Sequence, residues 1–238
     1  MQIIYTIAIL SEMGYNLPIH TERSTSNMKK AIIFDLDGTL WDSSESCAAS
    51  WNIVLEKHPD ITRRITVDDM HSFMGKTLDK IAPMALPDVP EPHRMEIMRE
   101  CVRYEQDYIA QHGGVLYPKL HETLERLRTE YLLIIVSNCQ DGYIQCFLEY
   151  SGMADLFDDF ESAGGTGLSK GENIRLVIQR NSIDSAVYVG DTQGDLDSAD
   201  VAGVPFIRAA YGFGSMNRSV PEINSLSELP EMVKTILG

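Results

Sequence analysis

Three features of the sequence predict an α/β protein, a parallel sheet with helices packed around it and one helical insertion. First, four short apolar runs at 31–34 (AIIF), 131–137 (YLLIIVS), 186–191 (AVYVGD) and 204–209 (VPFIRA) have the continuous hydrophobicity of strands buried on both faces. Second, each run is followed by a helical pattern, and strand–helix alternation specifies parallel pairing through right-handed crossovers. Third, roughly a hundred residues separate the first run from the second with no comparable strand signal, only amphipathic helical stretches.

Taken in order, residues 1–27 stand apart. MQIIYTIAIL has no basic residue before it, and the SEMGYNLPIHTERSTSN after it offers no small-residue cleavage site, so a secretory leader is not indicated. We read 1–27 as an N-terminal extension, weakly ordered or peripherally packed. Met28-Lys29-Lys30 then starts a core formed by 28–44 and 116–238, and 45–115 forms a helical cap. Within the cap Ala48, Trp51 and Leu55 share one helical face, as do Met95, Met98, Val102 and Ile109, with a proline-rich break at 86–92 (LPDVPEP). Tyr117-Pro118 leads to a return helix bearing Leu120, Leu124 and Leu127. Helical stripes come next at Tyr143, Ile144, Phe147 and Leu148 and, after Lys170, at Ile174, Val177 and Ile178; a short helix is expected over 195–202.

Of the 238 residues, 44% are hydrophobic and 23% charged, as in an ordinary folded domain. The excess of 35 acidic over 20 basic residues gives a net charge of -15 without any basic run, which argues against nucleic acid or an anionic membrane surface as partner. No apolar run approaches the length of a membrane span. Cys47, Cys101, Cys139 and Cys146 form no paired motif, which suits reduced thiols and a cytoplasmic location. His58, His71, His93, His112 and His121 lack metal-ligand spacing and read as surface or helix-end residues.

The chemistry is concentrated at the strand ends. Asp35 and Asp37 follow the first strand and, by strand alternation, should project to the same side at the carboxyl edge, where open α/β sheets place their ligands. Two carboxylates about 4 Å apart repel by roughly 4 kcal/mol at an effective dielectric near 20, so the pair needs a shared proton or a cation. The second strand ends in Ser137-Asn138, suited to phosphoryl oxygens. The third ends in Asp191, with Asp195 four residues on, and Lys170 opens a helix after the glycine-rich 163–169 (AGGTGLS).

In that order, FDLDGTLWDS (34–43), VSN (136–138), Lys170 and VGDTQGD (189–195) resemble the four motifs of the haloacid dehalogenase superfamily of phosphatases. The position of the insertion resembles the subfamily with an inserted α-helical cap on a Rossmann-like parallel sheet core, which includes phosphoglycolate phosphatase-like enzymes. The resemblance implies that Asp35 is the nucleophile, that Asp37 is the general acid and base, and that Ser137 and Lys170 hold the phosphoryl group, with Thr39 and Asn138 as further substrate contacts. It implies Mg²⁺ on the Asp35 carboxylate, the Asp37 main-chain carbonyl and Asp191, with Asp195 a ligand directly or through water, or an orienting group behind them. The implied substrate is a small phosphorylated metabolite, a phosphoglycolate-like monoester; a β-phosphoglucomutase-like mutase and a non-catalytic sensor are the alternatives. The oligomeric state is left open.

FMGKTLDKIA (73–82) resembles a cap loop that reaches the site, with Gly75 allowing close approach and Lys76 free to meet the substrate. Trp41 is expected to pack under the cap. Tyr211-Gly212-Phe213-Gly214 reads as a rim loop without assigned chemistry, and Lys119 stands where relatives often have glycine.

Overall fold

Ala31 to Phe34 are wholly buried because the strand they form lies in the middle of the sheet. The computed structural model describes residues 28–238, so the extension expected over 1–27 lies outside the described residues. In chain order the described strands are β1 (Lys30–Phe34), β2 (Trp41–Asp42), β3 (Val115–Leu116), β4 (Leu132–Ser137), β5 (Asp159–Ser162), β6 (Ser185–Gly190), β7 (Phe206–Ala209) and β8 (Glu222–Ile223). The helices are α1 (Ser44–Leu55), α2 (Val67–Phe73), α3 (Leu78–Ala85), α4 (His93–His112), α5 (Leu120–Leu127), α6 (Tyr143–Ser151), α7 (Ala163–Thr166), α8 (Lys170–Arg180), α9 (Gln193–Ala202) and α10 (Leu229–Leu237).

Six strands make one parallel sheet in the order β5-β4-β1-β6-β7-β8. Because β1 pairs with β4 on one side and β6 on the other, the chain reverses its winding beside β1, the place where such sheets open a crevice at their carboxyl ends. The pleat sorts the strand residues onto two faces. Ile32, Phe34, Leu133, Ile135, Val187 and Val189 pack with Leu124 of α5, Phe147 of α6 and Val233 of α10, in a core continuous with the insertion. Ala31, Ile33, Ile134, Val136, Ala186 and Tyr188 pack against Ile174 and Val177 of α8 and Leu196 and Ala199 of α9.

Helices α1 to α4 form the insertion. Its interior is built around Trp51, which stacks on Phe73 with ring centroids 6.2 Å apart, and around Met98, Cys101 and Ile109 of α4. The chain leaves and re-enters the core through an antiparallel ribbon in which Trp41 faces Leu116 and Asp42 faces Val115. The periodicity missed this ribbon, which is too short to alternate, and it missed β5 and β8, a polar edge segment and a two-residue edge strand. It also read 73–82 as loop, whereas only 74–77 is non-helical, between the end of α2 and the start of α3. Lys119 adopts a left-handed backbone, φ 67°, which explains why glycine suits that position. Among the described residues, no helix is long and apolar enough to cross a membrane.

Candidate active site

The carboxyl ends of β1 and β6 and the first turn of α8 bring Asp35, Asp191, Asp195 and Lys170 into one buried cluster, each at most 2% exposed. Lys170 Nζ donates to Asp35 Oδ1 at 2.8 Å and to Asp195 Oδ1 at 2.6 Å. Burial opposes the lysine's charge, but Asp195 and Asp35 outweigh it and hold its pKa above the usual lysine value. One cation does not balance three carboxylates. Burial, then Asp195, pushes the Asp35 carboxyl up to about 7 despite Lys170. Asp191 is pushed up to about 8 by burial, Asp195 and Asp35.

A metal ion fits here. Asp35, Asp191 and Asp195 each offer an oxygen within 4.8 Å of the others, and Asp191 Oδ1 is buried without a hydrogen-bond partner. An all-oxygen set of this kind suits a hard divalent cation. The three acids are not equally free. Asp195 Oδ1 accepts from Lys170, while its Oδ2 accepts from the Thr192 main-chain N–H at 2.9 Å and hydroxyl at 2.7 Å, closing a capping box on α9. Both its oxygens are thus engaged in holding Lys170 and the helix.

Asp37 does not share that cluster. The strand stops at Phe34, so alternation no longer governs the chain, and the turn at Gly38 sends the second carboxylate elsewhere. The acid crowding Asp35 is Asp195, not Asp37. Trp41 Nε1 at 2.9 Å, Ser43 Oγ at 2.7 Å and Tyr143 OH at 3.0 Å all lie against Asp37 Oδ1. Burial raises this carboxyl and those three donors oppose the rise. Trp41 is fully buried, as its expected packing required, and its indole also orients Asp37.

Two glycines let the loops close on Asp191. A Cβ at Gly38 would lie 2.4 Å from Asp191 Oδ2, and one at Gly212 would lie 2.4 Å from both Asp191 Cβ and Gly38 O. The 211–214 segment is therefore wedged against the acids, where Phe213 N–H donates to Asp191 Oδ2 at 2.7 Å and Tyr211 OH to Thr39 O at 2.9 Å.

Of the other expected contacts, Ser137, Asn138 and Lys76 line one cavity with Asp37, and Thr39 does not. Thr39 is buried beside Asp37, its hydroxyl without a partner. Ser137 is buried at the end of β4. The Asn138 side-chain amide reaches across to the insertion and donates to Gly75 O at 2.8 Å. Lys76 is exposed, and its Nζ donates back to Ser72 O at 2.5 Å.

The model of the haloacid dehalogenase-like hydrolase family matches residues 32–209, three quarters of the chain. The chain belongs to the haloacid dehalogenase-like hydrolases. A phosphoglycolate phosphatase from Aliivibrio fischeri is 28% identical over 201 residues, covering 77% of this chain and 85% of its own. Another from Aquifex aeolicus is 26% identical, covering 86% of this chain and 95% of its own. The crystal structure of a predicted phosphatase from Clostridium acetobutylicum superposes with a TM-score of 0.72 at 25% identity, covering 87% of this chain and 99% of that one.

In this hydrolase a cavity of about 70 Å³ lies between the insertion and the sheet edge, with Asp37, Ser137, Asn138 and Tyr143 on the core side and Trp51, Phe73, Val102 and Glu105 on the insertion side. The sequence pointed to neither Tyr143 nor Glu105. Tyr143 sits on an apolar helical stripe, and Glu105 is one acid on a helix rich in charge. Sequence alone does not disclose that both side chains turn inward.

Proposed function

We propose that this chain is a phosphatase that hydrolyses a small phosphorylated metabolite, a phosphoglycolate-like monoester, through an aspartyl-phosphate on Asp35. The observation that carries the reading is the convergence of Asp35, Lys170 and Asp191 at one carboxyl edge, with Asp37 separately held beside the cavity under the insertion. The phosphoglycolate phosphatases among the relatives support the substrate class.

An Asp35 oxygen attacks phosphorus and the bond to the ester oxygen breaks. Asp37 gives its proton to the departing oxygen, then takes one from the water that attacks the phospho-enzyme and frees Asp35. With three donors on Oδ1, the transferable proton belongs on Oδ2, and burial favours its presence there. Lys170 and Ser137 hold the phosphoryl oxygens, and Asp195 keeps Lys170 aimed at Asp35. Asp35, Asp191 and the Asp37 carbonyl would hold Mg²⁺, which would supply the charge neutralisation that lets one anion approach another. The four free cysteines support a reducing, cytoplasmic setting.

Phosphate release from a panel of monoesters, with Mg²⁺ and with chelator, tests the reading. Chelator-sensitive release that falls by roughly a thousandfold or more in Asp35→Asn is expected. Turnover surviving in Asp35→Asn would remove Asp35 as nucleophile.

A further inference from the structure

His58 and His93 show no metal-ligand spacing along the chain, but the fold brings them together. α1 runs out into a tight turn, in which His58 N–H donates to Leu55 O at 3.1 Å and Ile61 N–H to His58 O at 3.0 Å, so one turn carries both His58 and Asp60. His93 is the first residue of α4. Trp51, Val54 and Leu55 of α1 share a core with Ile97, Met98 and Cys101 of α4, which holds the end of one helix beside the start of the other. The two imidazole rings then lie with centroids 6.2 Å apart. His93 has a carboxylate at each nitrogen: Asp60 Oδ2 is 3.3 Å from its Nε2 and Glu96 Oε2 is 3.6 Å from its Nδ1. His58 Nε2 is 3.1 Å from Glu100 Oε2. A neutral imidazole has one N–H, so a ring between two carboxylates turns a lone pair toward one of them unless a proton or a metal ion stands between. Nearby cations are engaged elsewhere: Arg94 Nε donates to Glu91 Oε1 at 3.0 Å, and Lys57 Nζ lies over the Tyr104 ring, 5.0 Å from its centroid. Among the described residues, Asp60, Glu96 and Glu100 form ion pairs with these two histidines alone.

We propose that His58, Asp60 and His93 bind a transition-metal dication of the zinc class, at a site separate from the acid cluster on the sheet edge. One ligand atom from each lies within 4.8 Å of the others. Neighbouring donors around tetrahedral zinc are about 3.3 Å apart, so these half-buried and exposed side chains need to close by about 1–1.5 Å. Two imidazoles and a carboxylate favour zinc, nickel or copper over magnesium or calcium, the reverse of the preference of the all-oxygen set at Asp35 and Asp191. Glu96, at the second nitrogen of His93, would fix the orientation of that ring, as carboxylates behind metal-bound histidines do. None of these residues lines the cavity over Asp37, and Glu105, which does, stands roughly 18 Å along α4 from His93 at 1.5 Å per residue. The ion would tie together the outer ends of the insertion's two longest helices and take no part in phosphoryl transfer, so the inference does not rest on the phosphatase reading.

Calorimetric titration of the full chain with Zn²⁺ tests it, at neutral pH with excess Mg²⁺ to occupy the acid cluster. One Zn²⁺ per chain should bind with saturation at micromolar metal. His58→Asn and His93→Asn should each weaken that binding by about tenfold or more, whereas His121→Asn and Cys146→Ser should leave it unchanged. Zn²⁺ should also raise the melting temperature of the wild type by several degrees and leave that of either weakened variant where it was. Should an asparagine variant fail to fold, Cu²⁺ on the wild type reports the same site, since nitrogen couplings in its EPR spectrum count the bound imidazoles and two are expected. No saturable binding at micromolar Zn²⁺ would leave the histidines as ion-pair partners only and overturns the inference. Binding that survives either histidine substitution with less than a tenfold loss, or fewer than two coupled nitrogens, overturns it as well.

Discussion

At Asp37 three donors converge on one oxygen, and each favours the ionised form against the burial that opposes it. Tyr143→Phe removes one of them, so the Asp37 pKa should rise further. In the proposed mechanism the leaving group needs Asp37 protonated, so the alkaline limb of kcat/KM should move to higher pH, with a loss of roughly tenfold or more below it from the misaimed carboxyl. A pH profile unchanged in that variant would remove Tyr143 from the site. At Glu105 the sign runs through stability. Its folded pKa, about 8, lies above the ordinary 4.5, so the favourable contribution of the protonated acid is complete below about 4.5 and is lost as pH rises through about 8. Melting curves should therefore show Glu105→Gln gaining on the wild type across that window, with Asp37, Cys47 and Trp51 unchanged around it. Asp35, Lys170 and Asp191 were visible in the sequence because a charged residue at the end of a buried strand, or opening a helix after a glycine-rich turn, is locally anomalous. Tyr143 was not, since its partner lies 106 residues away and its position fits an apolar stripe equally well.

At the scale of elements, the central strands were legible because both their faces are covered, and the edge strands were not because pairing rather than hydrophobicity defines them. The same distinction hid the 211–214 loop, whose importance lies in how closely Gly212 approaches Asp191. Gly212→Ala would place a methyl carbon within 2.4 Å of Asp191 Cβ and Gly38 O, a backbone clash that rotamer changes cannot relieve. It should weaken Mg²⁺ binding by about tenfold, measured calorimetrically, and destabilise the fold by about 1–3 kcal/mol. Lys119→Gly should act in the opposite direction. The left-handed backbone at φ 67° suits glycine, so thermal unfolding should shift upward while activity is retained.

For the whole molecule, a divalent cation should link folding to catalysis. Three buried carboxylates cluster and Lys170 pairs with only two of them, so a cation bound only by the folded protein should stabilise it by about 2.7 kcal/mol at a hundred times its Kd. That is a rise in melting temperature of several degrees, and Asp191→Asn should abolish it while leaving the unliganded protein no less stable. The general plan, a sheet with a helical insertion above its reactive edge, was readable from the order of apolar runs. How the insertion is fastened was not. The Asn138 amide, one residue past β4, grips the Gly75 carbonyl of the 74–77 loop. Lifting that loop must break the bond, and a neutral hydrogen bond is worth only about 0.5–1.5 kcal/mol net. That bond alone biases the seated loop roughly two- to thirteenfold. The loop at 74–77 can then part from β4 at small cost while the Gln106 amide on Asp141 O and the shared apolar core keep the insertion seated on the sheet.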